Sequence, residues 1–289
     1  VIKAEIIKDS LTVSGARITT FVLTYPRFIH SEFMTHRMIS KNASSSRAIP
    51  VAKFMEAITL NPAMPTAFSK NCKGMQAKEE IQNQNEAIDI WLDARNAMIE
   101  YVQKLTDLGV HKQHANRLLE PFTHISVVAT ATDWSNFFAL RTHQDAQPEF
   151  QVLAKLMWDT YSKNEPEVLE NGEWHLPFIS REEESTLKNM LAFTGNNSEY
   201  RFLAKELIKR SVARCARVSY NTLDGTENSI QKDLELYDRL TKHNPIHASP
   251  TEHQAMAIPD KNLRSGNLVG WVQYRKMLSN ENVTEFSGY

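Results

Sequence analysis

Residues 36–47 read His36-Arg37-Met38-Ile39-Ser40-Lys41-Asn42-Ala43-Ser44-Ser45-Ser46-Arg47. This stretch gathers two arginines, a histidine, an asparagine and four serines into twelve residues, soon after an apolar run. Short hydroxyl side chains leave backbone N–H groups accessible, and flanking guanidiniums grip phosphate in a bidentate way. The same composition also describes a solvated loop, and a short motif taken alone does not separate the two readings.

Around this block the apolar pattern predicts a mixture of helices and a few strands. Residues 16–24 (ARITTFVLT) are β-branched and aromatic, which predicts a strand stopped by Pro26. Ala87, Ile90, Trp91, Ala94, Met98, Val102 and Leu105 recur at helical spacing, so a long amphipathic helix is expected over 78–108, ended by Gly109. A short helix over 112–120 is broken by Pro121, and 125–130 reads as a strand. Asp133 is a suitable N-cap for the next helix, which carries Trp134, Phe137, Phe138 and Leu140. Helices are expected at 150–161, 199–214 and 228–243, the last capped by Asn228 or Ser229. Pro166 to Thr186, rich in Pro, Gly and charge, reads as a loop. Helices and strands do not alternate as βαβ units, which points to an α+β fold. Neither an internal repeat nor a low-complexity tract is present.

The bulk numbers exclude several function classes. The chain has 289 residues, with 42% hydrophobic and 23% charged, an ordinary globular composition able to bury a core. The formal net charge is −1, so no global field draws in nucleic acid or an anionic membrane. Phosphate recognition must therefore be local. No apolar run is long enough to span a bilayer, and the opening Val1-Ile2-Lys3-Ala4-Glu5 does not read as a signal peptide. Cys72 and Cys215 are the two cysteines and stand far apart, arguing against a disulfide framework or a thiolate metal site. A cytoplasmic location, with neither a nucleic-acid nor a membrane partner and without a metal centre, is the expectation.

The block at 36–47 resembles the signature of the flavin-dependent thymidylate synthases (ThyX): Arg-His-Arg, seven residues, then Ser, usually elaborated as Arg-His-Arg-x-x-Ser-x-Asn-Glu-x-Ser-x-Arg-Tyr. His36, Arg37, Ser40, Asn42, Ser45 and Arg47 match it. Thr35 stands where the first Arg is expected, Ala43 replaces the Glu, and Ala48 replaces the Tyr. Upstream, Pro26, Phe28, Ile29 and Glu32 resemble the family's entry to this segment, with Glu32 in place of a usual Gln. A second block is similar as well. Arg117-Leu118-Leu119-Glu120-Pro121 is followed by Asn136, Phe137, Leu140, Arg141, Ala146, Gln147 and Glu149, matching Asn-Phe-x-x-x-Arg and then Ala-Gln-x-Glu. A third block, Ala213-Arg214-Cys215-Ala216-Arg217-Val218-Ser219-Tyr220, resembles Ala-Ala-Arg-Val-Ser. Beyond it, His247-Ala248-Ser249-Pro250-Thr251-Glu252-His253 resembles His-x-Ser/Thr-Pro-Phe-Glu-His, with Thr251 for Phe. His247 and His253 are six apart with a proline between, which does not suit two metal ligands on one helix face.

The resemblance implies a single catalytic domain over 1–289 in a divergent, phage-like member. The third block trails here, whereas it leads in the family, so the order looks circularly permuted, with the join between Arg141 and Ala213. Folds tolerate such a change when the original termini lie close together at the surface. It also implies FAD as cofactor, methylenetetrahydrofolate and NADPH as co-substrates, and a homotetramer whose sites lie between subunits. The implied reaction is methylation of dUMP to dTMP. Hydroxymethylation of dCMP or dUMP is an alternative kept open by Glu32, Thr35, Ala43 and Ala48, and a non-catalytic nucleotide-binding homologue is another. By residue, the resemblance assigns Glu32, Ser45, Ser46, Arg47, Arg117 and Arg141 to the nucleotide. Arg141 and Ser45 are the catalytic candidates, and His36, Arg37, Asn136, Ser219, His247, Ser249 and Glu252 go to the flavin. The uracil C5 carbon is a poor nucleophile, and one known solution adds a Cys at C6. Neither cysteine here has the context for that, whereas Arg, Ser and His blocks suit positioning of reactants and neutralisation of phosphate. Trp174-His175-Leu176-Pro177-Phe178 is read as a buried aromatic anchor.

Overall fold

The computed structural model describes residues 1–74, 76–77, 79–194, 197–220 and 229–284. The strands are β1 (Lys3–Thr12), β2 (Arg17–Pro26), β3 (Ser40–Ala43), β4 (His124–Ala131), β5 (Glu167–Leu169), β6 (Trp174–His175), β7 (Ala255–Ala257), β8 (Arg264–Ser265), β9 (Leu268–Val269) and β10 (Trp271–Gln273). The helices are α1 (His30–Met34), α2 (Val51–Leu60), α3 (Gln84–Asp107), α4 (Lys112–Ala115), α5 (Ser135–Arg141), α6 (Pro148–Lys163), α7 (Arg181–Thr194), α8 (Asn197–Arg217) and α9 (Ile230–Thr241). The fold is α+β, as its sequence pattern predicts. Among the described residues no helix is long and apolar enough to cross a membrane.

A five-stranded sheet in the order β3-β4-β2-β1-β5 forms the centre, antiparallel except for the β1–β5 pair. Side chains alternate across a strand, so each strand serves two layers. On one face Phe21, Leu23 and Tyr25 of β2 and Ile125, Val127 and Ala129 of β4 pack against Phe33 of α1, Phe137 and Phe138 of α5, and Phe150, Leu153 and Met157 of α6. Each such side chain taken out of water contributes about 1.5–3 kcal/mol. On the other face Val22 and Val128 meet Cys215 and Val218 from the C-terminal part of the chain. A satellite core of Phe54, Ile58, Val102, Leu119 and Phe122 joins α2 and α3 to the 116–122 segment.

That C-terminal layer is fastened to the sheet by polar as well as apolar contacts. Thr20 and Thr130 are register partners on β2 and β4, and their hydroxyls lie 2.7 Å apart. Thr20 Oγ1 also meets His175 Nε2 at 2.8 Å, and Thr130 Oγ1 meets His253 Nδ1 at 2.8 Å. Ser10 Oγ closes the chain on His175 Nδ1 at 2.9 Å. Both imidazoles are fully buried. Burial lowers the pKa of His253 to about 3 and that of His175 as well, with Lys8 and His253 adding to the latter. Both therefore stay neutral at physiological pH and act as hydrogen-bonding links. The anchor in 174–178 is thus His175 above all, while Trp174 is half-buried, edge-on to Tyr274 at 6.0 Å.

Three local expectations change. Pro166 to Thr186 is not one loop, because β5 pairs in parallel with β1, β6 pairs with β7, and α7 starts at Arg181. Ser180 Oγ accepts from the Glu183 N–H at 3.2 Å while Glu183 accepts from the Ser180 N–H at 2.8 Å, a capping box written as Ser180-Arg-Glu-Glu183. The long helix starts at Gln84 rather than 78, because Gln84 Oε1 and Nε2 are bonded to the Phe68 N–H and carbonyl. The segment at 112–120 splits into α4 and a 3-10 turn over Asn116–Phe122 that accommodates Pro121. The last helix is capped by Ser229, which accepts from the Lys232 N–H at 3.2 Å; Asn228 lies outside the described residues.

Candidate active site

β3 is the edge strand that carries the twelve-residue block into place. It pairs with β4 from Ser40↔Thr130 to Ala43↔Val127, which turns buried Asn42 toward the C-terminal layer. Asn42 Nδ2 donates to the Cys215 carbonyl at 2.7 Å. Asn42 Oδ1 accepts from Ser249 Oγ at 3.0 Å and, more weakly, from Ser219 Oγ at 3.4 Å. The Ser45 N–H donates to the Ser219 carbonyl at 3.1 Å. One asparagine side chain therefore joins its own strand to two stretches more than 170 residues further along the chain. Asn42 was recognised in the sequence as part of the motif; its place as the hub follows from folding.

Around this hub lies a cavity of about 370 Å³ whose walls include Ser45, Arg47, His111, Gln113, Ser219, His247 and Ser249. Arg47 is exposed and forms no ion pair among the described residues, so its guanidinium is available to an anion. No carboxylate is among the described residues lining the cavity. This donor-rich, acid-free wall suits a phosphate-bearing ligand. The volume lies at the small end of ligand cavities. It fits one nucleotide-sized group, so only part of a dinucleotide such as FAD fits within it. His111, Gln113 and Leu240 also line the cavity and were not anticipated. His111 and Gln113 come from the α4 region, where no motif marks them.

Other expected residues gather elsewhere. Arg141, at the end of α5, donates from Nε to His36 Nε2 at 2.8 Å and from Nη1 to Glu32 Oε2 at 2.8 Å. Its guanidinium carbon sits 4.6 Å over the Phe150 ring. Burial, then the charges of Arg141 and Lys41, lower the His36 pKa to about 4. His36 is thus a neutral acceptor that holds Arg141 in a fixed orientation. Glu32 and Arg141 line a second cavity of about 680 Å³ together with Ser69, Gln76, Gln144, Gln147 and Gln151. Amide and guanidinium groups of this kind can read the donor and acceptor edge of a base.

The remaining assigned residues line neither cavity. Ser46 is buried and donates to Glu120 Oε1 at 2.6 Å, and Arg117 donates to the same oxygen at 2.8 Å. Glu120 thus engages two groups expected at the phosphate. Glu252 accepts from Arg275 Nη1 at 2.6 Å. Arg37 and Asn136 are exposed. Among the described residues no group of three or more His, Cys, Asp or Glu is placed to hold a metal ion.

No curated protein matches the chain. Among solved structures it is similar to a UMP/dUMP methylase, PolB, of Streptomyces cacaoi bound with 5-Br dUMP, at 18% identity and a TM-score of 0.48, covering 56% of this chain and 90% of that one. The same methylase bound with 5-Br UMP gives 19% identity and a TM-score of 0.48, covering 56% and 89%. The family model described as thymidylate synthase complementing protein matches residues 12–167, which hold β2, β3, β4, the twelve-residue block and Arg141. As that match spans more than half of the chain, this protein belongs to the thymidylate synthase complementing protein family.

Proposed function

We propose that the chain is an enzyme that transfers a one-carbon unit from methylenetetrahydrofolate to C5 of a pyrimidine deoxynucleotide, converting dUMP to dTMP with FAD and NADPH. The observation that carries this reading is the convergence on Asn42 of the three segments around Ser45, Ser219 and Ser249, in a chain whose family is shown. The same convergence supports a single domain with permuted block order, because chemistry depends on the final geometry and not on chain order. A homotetramer agrees with the two sets of residues opening into separate cavities of one chain.

In this reading Ser45 and Arg47 hold the 5′-phosphate, and Arg117, bonded to Glu120 outside the cavity wall, is a further cation of the family pattern. Arg141, oriented by His36 and Glu32, donates to a carbonyl oxygen of the base, where negative charge develops as electron density moves toward C5. Ser219, His247 and Ser249, with His36, Arg37, Asn136 and Glu252, form the flavin side of the site. FAD, when bound, supplies the reducing power that turns the transferred carbon into a methyl group. The donor set at Ser45, Arg47, Ser219 and Ser249 fits a phosphate-bearing part of such a cofactor or of the nucleotide.

A second reading rests on Glu32. A carboxylate beside Arg141 offers an acceptor to an exocyclic amine, which cytosine has and uracil lacks. Hydroxymethylation of dCMP is the corresponding reaction. Incubating the protein with dUMP or dCMP, methylenetetrahydrofolate, FAD and NADPH, then weighing the nucleotide by mass spectrometry, separates the two. A gain of CH2 on dUMP is the expected result. A gain of CH2O on dCMP selects the second reading, and no gain on either base sinks both. The purified protein is also expected to be yellow and to release FAD on denaturation; a colourless protein whose activity does not respond to added FAD overturns the cofactor assignment.

The reading excludes thiol addition to the base. Cys215 is fully buried, which pushes its thiol pKa up, and Cys72 is exposed with its Sγ 3.1 Å from the Gln76 carbonyl. A buried, protonated thiol is a poor nucleophile. The Cys72→Ser, Cys215→Ser double variant is expected to keep turnover within a few-fold of the parent. Complete loss of turnover in a folded, FAD-loaded double variant would restore a cysteine mechanism.

A further inference from the structure

A third cavity, of about 710 Å³, lies away from both clusters described above. Its walls come from α8 (Ala204, Lys205, Ile208, Lys209), from Gly172 and Trp174 at β6, from Met256 of β7, and from the turn carrying Tyr274, Met277 and Leu278. Every one of these residues lies outside the family-matched segment 12–167. The cavity therefore belongs to the part of the chain that the family match does not describe.

The lining divides into two chemical parts. Trp174 and Tyr274 stand edge to face at 6.0 Å, and Ile208, Met256, Met277 and Leu278 complete an apolar floor and rim. Methionines adapt their shape to an aromatic partner. Tyr274 is held from behind, its hydroxyl 2.6 Å from that of Tyr237 on α9. Against this apolar surface stand Lys205 and Lys209, one turn apart on α8, where side chains four residues apart are neighbours. Lys205 is exposed, and the Lys209 ammonium lies 5.4 Å over the Tyr237 ring. Neither lysine forms an ion pair among the described residues. The acids beside them are otherwise engaged: Glu206 lies 3.8 Å from Arg210, and Glu173 accepts from the Glu170 N–H at 2.8 Å.

We propose that this cavity binds a planar aromatic anion, the ring lying against Trp174, Tyr274 and the methionines and its carboxylate or sulfonate facing Lys205 and Lys209. An apolar cavity with a few convergent polar groups is the usual form of a small-molecule site. Without the two ammoniums the cavity would select for apolar bulk alone; with them it selects for charge at one end.

The test uses the full-length protein and two fluorescent probes of nearly the same shape. Anilinonaphthalene sulfonate carries the negative charge, and N-phenylnaphthylamine lacks it. The anionic probe is expected to bind the parent at least tenfold more tightly than the neutral one, and dUMP is not expected to displace it. Lys205→Gln with Lys209→Gln should weaken the anionic probe at least tenfold and leave the neutral probe unchanged, which also shows that the cavity persists. Equal affinity for the two probes, displacement by dUMP, or an anionic-probe affinity unaffected by the double variant overturns the proposal. Displacement by folinate would identify the occupant as a reduced folate. The test does not depend on turnover, so it stands apart from the proposed reaction.

Discussion

Replacing Arg47 by alanine is expected to weaken dUMP binding between about tenfold and a hundredfold while leaving the melting temperature unchanged. Arg47 is the exposed cation of the Asn42 cavity and has no carboxylate partner among the described residues. Its removal therefore breaks no internal ion pair and leaves no buried group unsatisfied, so the fold has little reason to respond. The loss falls on the ligand. A hydrogen bond to a charged group contributes about 1.5–3 kcal/mol, and each ~1.4 kcal/mol is tenfold in affinity. Arg47→Lys keeps the charge but not the planar fork, so an intermediate affinity is expected. Because the contact is partly exposed, raising the salt concentration should narrow the gap between parent and variant. Calorimetric titration of dUMP into parent, Arg47→Ala and Arg47→Lys measures all of this. Unchanged affinity in Arg47→Ala would place the phosphate elsewhere, with Arg141 in the second cavity as the next cation to examine.

Parts of this site were legible in the sequence because their signals are local. Two guanidiniums flanking short hydroxyls mark an anion cradle wherever the chain takes them. The β-branched run before Pro26 and the apolar spacing of 84–107 follow from strand and helix periods alone. What was not legible depends on distant partners. Ser45 and Ser46 are neighbours of the same type, yet Ser45 lines the cavity and Ser46 is buried against Glu120, a residue 74 positions away. β3 ends at Ala43 and the chain turns from Ser46, and a run of three serines carries no mark of where that turn begins. Arg47 and Arg141 have similar motif credentials but open into different cavities of one chain, a division set by packing of α5 on the sheet. β1 was missed because Lys3–Thr12 carries charge on both sides of a register shift between Ile6 and Lys8. The capping box at Ser180 is legible, but the prolines, glycine and charges around it weigh a local reading toward a loop. Its helix matters, because Glu183 of that box receives Arg214 of the third block.

The largest effect on stability is expected where that third block is held. Asp233 of α9 is fully buried and accepts from Arg214 Nε at 3.0 Å and from Arg217 at 2.9 Å and 3.2 Å. Arg214 continues to Glu183 at 2.8 Å and to the Phe178 carbonyl at 2.7 Å. Burial opposes ionisation of Glu183, but hydrogen bonds from Arg214 and the Ser180 N–H, with the charges of Arg214 and Arg210, outweigh it and lower its pKa to about 2. The network ties α7, α8 and α9 together, and α8 and α9 supply Ala216 and Leu240 to the walls of the Asn42 cavity. Asp233→Ala would take from Arg214 and Arg217 the buried carboxylate that they share. Breaking one side of a buried ion pair costs about 3–5 kcal/mol, far more than the pair adds over an apolar replacement. For a chain of this size that corresponds to a fall in melting temperature on the order of 10 °C. Nucleotide affinity should fall with it, since two walls of the cavity lose their common anchor. Asp233→Asn keeps the shape and one acceptor oxygen, so its loss should be smaller. Asp233→Leu combined with Arg217→Met removes charge from both sides and should recover part of the stability lost in Asp233→Ala. Thermal unfolding of the four proteins ranks them directly. A melting temperature for Asp233→Ala equal to that of the parent would mean that water reaches these guanidiniums and that the network does not hold the third block in place.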